Sequence, residues 1–123
     1  MINYILLRMM PAYRQVGNRI MEDKEKILDI AMNLTRIGNW AADGYSAKQK
    51  RIVLFLNQTT IYLNSLNLTF LPTALKTQLQ RLLSEYPELE KEGIVGPKDP
   101  LAWGEKLMTW GNILTHRCQL IKS

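Results

Sequence analysis

Ile27-Leu28-Asp29-Ile30-Ala31-Met32-Asn33-Leu34-Thr35-Arg36-Ile37 decides the fold class, because its apolar residues return at three- and four-residue steps. Ile27, Ile30, Ala31, Leu34, Ile37 and then Ala41 fall on one helical stripe about 100° wide, with Asp29 and Arg36 off it. A half-buried strand would instead alternate apolar and polar residues, and no such alternation is sustained anywhere in the chain. Glu22, Asp23 and Glu25 lie in the expected first turn, where acids favour the positive end of the helix dipole, and Asp43-Gly44 is read as the stop.

Three more helices are expected downstream. Ser46-Ala47-Lys48-Gln49 has the spacing of a capping box and opens a second helix with the stripe Ile52, Phe55, Leu56, Thr59, Tyr62, Leu63 and Leu66, ending near Leu68. Pro72 suits the first position of a third, which buries Leu75, Leu79, Leu82, Leu83 and Tyr86 before Pro87 interrupts it. Asp99-Pro100 pairs an N-cap residue with a proline at the first helical position and starts a fourth, with the stripe Trp103, Leu107, Trp110, Leu114 and Ile121. Short connections favour antiparallel neighbours, so the expectation is an all-α, single-domain, up-down-up-down four-helix bundle. A short extra helix over Tyr4 to Met10 is an optional addition, ended by Pro11.

The composition fits such a core: 46% apolar and 22% charged residues are ordinary for a globular domain and too hydrophobic for a disordered chain. The longest apolar-looking run, Ile52 to Leu71, contains Asn57, Gln58, Asn64, Ser65 and Asn67, each costly in hydrocarbon, so no membrane span is expected. Cys118 is the only cysteine, which excludes an intramolecular disulfide and points to a reducing, cytoplasmic setting. The Asn-x-Thr triplets at Asn33, Asn57 and Asn67 are accordingly read as coincidence.

The net charge of +5 is concentrated: Arg8, Arg14 and Arg19 lie in the first twenty residues, which hold no acid. Met21 opens Met-Glu-Asp-Lys-Glu-Lys, which looks like a natural start. Residues 1–20 are therefore treated as a separate N-terminal segment, a non-native extension or short helix, ahead of a bundle domain over residues 21–123. Tyr4 to Met10 would also suit attachment to a membrane surface.

No catalytic residue, metal ligand or cofactor site is expected. His116 is the sole histidine and falls well away from the apolar face of its helix, while the positions that could share a ligand with it hold Asn112, Ile113, Gln119 and Leu120. Phosphate-binding glycine loops and Glu-x-x-His pairs are absent from the sequence. The chain reads as a non-enzyme.

Two patterns point to binding instead. Leu54, Ile61 and Leu68 recur every seven residues on the side of the second helix away from its main stripe, with Asn57 and Asn64 between them. A helix apolar on two sides is deeply buried or covers another surface, so this line is read as a surface for a protein partner or a second copy. Gly104, Gly111 and Cys118 make a small-residue seam on the last helix, read mainly as close packing within the bundle and secondarily as part of the same kind of interface.

The alternative partner is nucleic acid. Lys48, Lys50 and Arg51 stand at a helix start, with Arg36 basic nearby and Trp40 and Tyr45 at the same corner as stacking groups. The competing expectation is that these cations balance Glu85, Glu88, Glu90 and Glu92, which gather at the end of the third helix.

Overall fold

The computed structural model describes residues 12–121, with side chains from residue 22 onward. The optional helix over Tyr4 to Met10 lies outside the described residues. Among the described residues there are three helices, α1 (Ala12–Asn64), α2 (Thr73–Val95) and α3 (Pro100–Cys118), and no strand.

The all-helical class is met, but the expected count of four separate helices is not. α1 spans both of the first two, but it breaks at the expected stop, Asp43-Gly44; helical geometry resumes at Tyr45, just ahead of the capped restart expected at Ser46. Only Gly44 leaves helical geometry, with φ 166° and ψ 87°. This break divides α1 into an N-limb before Gly44 and a C-limb after it, and the limbs lie against each other. Buried Asn33 donates to Gln58 Oε1 at 3.0 Å and reaches Thr59 Oγ1 at 3.4 Å, and Trp40 meets the Phe55 ring edge-on at 4.9 Å. The Asn33 side chain is thus committed inside the fold.

The stripes read from the sequence form one core. Ile27, Ile30, Leu34 and Ile37 of the N-limb, Ile52 and Leu56 of the C-limb, Leu75, Leu79 and Leu82 of α2, and Leu107 and Leu114 of α3 are fully buried. Transfer of each such side chain from water is worth about 1.5–3 kcal/mol, which makes this burial the main force holding the helices together.

α3 packs more extensively on α1 than on α2, and small residues facing the N-limb allow the close approach. A Cβ placed on Gly104 would lie 2.6 Å from the Gly38 carbonyl oxygen, and one placed on Gly38 would lie 2.5 Å from that of Gly104. Each glycine therefore lets the other helix's backbone approach, and a Cβ on Gly111 would likewise strike Thr35 Oγ1. The seam of Gly104, Gly111 and Cys118 is buried in this intramolecular contact, so the secondary reading of Gly104 and Gly111 as a partner surface is corrected.

Pro87 does not interrupt α2 as expected. It removes one backbone donor, yet the helix continues to Val95 because the turns beyond it are anchored. Buried Trp103 donates its indole N–H to the Leu89 carbonyl at 3.0 Å, and its ring lies where a Cβ on Gly93 would be. Pro97 has no N–H to offer the Gly93 carbonyl four residues back, and the Tyr45 hydroxyl donates there instead. Gly96, with φ 115°, closes the helix by donating to Glu92 at 2.8 Å. α3 begins as its sequence implies, with the Asp99 carboxylate accepting from the Ala102 N–H at 3.1 Å and Pro100 in the first turn.

Cys118 is 1% exposed, and burial pushes its thiol from 9.0 up to about 11, with nearby Lys24 opposing the shift. Between these values the unfolded chain loses the thiol proton while the folded chain keeps it, so unfolding releases a proton and stability falls as pH rises from 9 toward 11. Denaturant midpoints measured across this range should drop less steeply in Cys118→Ala than in the parent chain.

Candidate interaction surface

The C-limb is a fixed platform with one uncovered side. Its inner face buries Ile52, Leu56, Thr59 and Leu63. Buried Tyr86 of α2 donates its hydroxyl to the Leu56 carbonyl at 2.6 Å, and burial raises the Tyr86 phenol well above its usual value, so it stays a neutral donor. The Thr60 hydroxyl stands within reach of the same carbonyl, of Tyr86 and of the Glu90 carboxylate. With Asn33 bonded on the other flank, the limb is tied to both neighbours through its backbone and polar side chains.

Away from these ties, Leu54 is 63% and Ile61 is 65% exposed, and Asn57 and Asn64 are exposed beside them. The structure therefore brings four of the five residues of the second line onto one open face. Leu68 is not among them: α1 has ended at Asn64, and Leu68 is half-buried against the core. The reason is that the helical register which would align it with Leu54 and Ile61 does not extend that far.

The basic corner is spent differently. Lys48 pairs with Asp43 at 2.5 Å, which holds the Asp43 carboxyl below its ordinary value, so this cation is answered from within α1 rather than by the acids of α2. Trp40 is half-buried against Phe55, and the Arg51 guanidinium lies 5.9 Å from the centre of its indole. Tyr45 has its hydroxyl on Gly93 and its ring edge-on to Trp103 at 6.5 Å. Both aromatic residues thus serve internal packing, while Arg36, Lys50 and Arg51 are exposed. Of the acids expected to balance the corner, Glu85 accepts from the Trp110 indole at 3.0 Å and Glu90 lies beside Thr60.

His116 is exposed near the end of α3. Among the described residues no group of three or more histidine, cysteine, aspartate or glutamate side chains is placed to hold a metal ion, and no helix is long and apolar enough to cross a membrane.

One feature escaped the sequence. An open groove of 910 Å³ lies between α2 and α3, with Leu89, Trp110 and Ile113 in its lining and carboxylates around them. Glu85, Glu88 and Glu92 share one side of α2 at three- and four-residue steps, a signal present in the sequence that becomes a groove wall only once α3 is placed.

No protein-family model matches the chain, and no significant match is found among curated proteins or solved structures.

Proposed function

We propose that the protein is a non-catalytic, cytoplasmic helical module that associates with a second copy through the open face of the C-limb. Its scaffold is read as an up-down-up-down arrangement of four helical limbs, two of them belonging to α1. The observation that carries the proposal is the exposure of Leu54 and Ile61, two large aliphatic side chains one heptad apart on a helix whose opposite face is fully buried. Leu54, Asn57, Ile61 and Asn64 follow the three-four-three spacing of a coiled-coil seam, in which an asparagine fixes register at some cost in stability. Two apolar positions make a short seam, so the expected association is weak, in the range of roughly 1–100 µM. No cofactor is required.

The test uses Ile61→Cys. Ile61 lies close to the middle of the Leu54-to-Asn64 face, so a two-fold pairing of this face, parallel or antiparallel, brings the two copies of position 61 within reach of a short linker. The natural Cys118 is buried and its thiol is held protonated, so it does not compete. A short bis-maleimide should link Ile61→Cys chains into covalent dimers and leave the parent chain uncoupled. Equal yields from Ile61→Cys and from an exposed control such as Gln80→Cys on α2 would refute the pairing.

A further inference from the structure

The groove between α2 and α3 has an apolar floor and an acidic rim. Leu89 and Trp110 form the buried part of the floor and Ile113 a half-buried edge. Its lining holds four carboxylates, Glu85, Glu88, Glu92 and Glu105, against two cations, Arg81 and Lys106. Arg81 is drawn over the Trp110 indole at 6.0 Å, and Glu85 is bonded to the same ring's N–H. Glu88, Glu92 and Glu105 are exposed and, among the described residues, belong to no ion pair. Glu92 stands in the last turn of α2, where the helix dipole disfavours negative charge, so a cationic occupant would relieve that repulsion.

The chain contains a segment of that chemistry. Residues 1–20 hold Arg8, Arg14 and Arg19 and no acid, and Ile2, Ile5, Leu6, Met9 and Met10 have the spacing of one apolar helix face. The groove side of α2 from Arg81 to Glu92 measures about 17 Å, which matches about three turns of such a face.

The segment cannot fill the groove of its own copy. Lys24 bonds the Ile121 carbonyl at 3.3 Å, and from there α1 runs on about 18 Å to Ala12 while the groove centre at Trp110 lies about 16 Å the other way. The eleven residues before Ala12 span at most about 36–40 Å when fully extended, so reaching the groove would leave almost nothing to lie in it. A neighbouring copy carries no such restriction. We propose that residues 2–10 of a second copy dock in the groove between α2 and α3, apolar side on Leu89, Trp110 and Ile113 and Arg8 toward the glutamates, with Arg14 and Arg19 beyond the end of the groove.

This contact is independent of the Leu54 and Ile61 face, and one experiment separates them. A fluorescent peptide of residues 1–20 is titrated with the full chain, with Glu88→Lys/Glu92→Lys and with Leu54→Glu/Ile61→Glu, following anisotropy. Saturable binding is expected in the range of roughly 1–100 µM, weakened about tenfold by the glutamate reversals and by raising salt from about 50 to about 500 mM. The Leu54→Glu/Ile61→Glu chain should bind the peptide as the parent does, whether or not that face proves to pair. Absence of binding at roughly 200 µM, equal binding to the charge-reversed chain, or loss of binding in Leu54→Glu/Ile61→Glu would each overturn the proposal.

Discussion

Trp103→Ala is expected to lower the unfolding free energy by about 3–5 kcal/mol, a large share of the roughly 5–15 kcal/mol available to a domain. Three losses combine at this site. The side chain is 2% exposed, so its removal opens a cavity facing Gly93, Leu56 and Tyr45. The Leu89 carbonyl loses the indole donor in a buried setting. The turns of α2 beyond Pro87 then lose the contact that holds them to α3. Trp103→Phe separates these terms, because it keeps most of the ring and removes the N–H, and should cost about 1–3 kcal/mol. Chemical denaturation of the parent and both variants checks the order; a Trp103→Ala midpoint equal to the parent's would show that this end of α2 stands without the tryptophan.

Gly104→Leu is expected to be nearly as damaging, at about 3 kcal/mol or more. Even alanine should be unfavourable here. Its better helix propensity is worth about 1 kcal/mol, but its Cβ would lie 2.6 Å from the backbone oxygen of Gly38, which cannot rotate aside as a flexible side chain would. A net loss of about 1–2 kcal/mol is expected for Gly104→Ala. Gly44 supplies the contrast: a Cβ there meets nothing within 4 Å and its φ of 166° is extended backbone, so Gly44→Ala should change stability by no more than about 0.5 kcal/mol. Thermal or denaturant unfolding of the set checks both signs, and a neutral Gly104→Leu would mean that α1 and α3 do not approach as closely as described.

The core was legible because it rests on periodicity alone. Ile27 to Ala41, Ile52 to Leu63, Leu75 to Tyr86 and Trp103 to Leu114 each line one helix face with core residues, and all of these faces meet in the structure, with Ile121 joining the core from beyond the end of α3. The start of α3 was legible for a different reason: Asp99 and Pro100 act on their own backbone neighbours. Local signals failed where tertiary contacts outweighed them. Pro87 has the chemistry of a stop, yet Trp103 and Tyr45 satisfy and hold the turns that follow, whereas Asp43-Gly44 did mark the break in α1, with the C-limb starting just ahead of Ser46.

Leu54 and Ile61 were legible as a second line because burial on the opposite face is itself periodic. Leu68 was misplaced by the same rule, since heptad spacing has meaning only while the helix lasts. The partners of Lys48, Trp40 and Tyr45 were not legible: the bend at Gly44 sets which groups meet, and no spacing along the sequence encodes its angle. Glu85, Glu88 and Glu92 read as a charged helix side, and their place in a groove wall depends on where α3 lies.

The claim that Leu54 and Ile61 form a pairing surface is tested most directly by sedimentation equilibrium of the full chain over roughly 5–200 µM. The apparent mass should rise with concentration from monomer toward larger species, and rise less at matched concentration in Leu54→Glu/Ile61→Glu while the melting temperature of that variant stays close to the parent's. A parent chain that remains monomeric throughout, or a double variant that associates to the same extent, would contradict it.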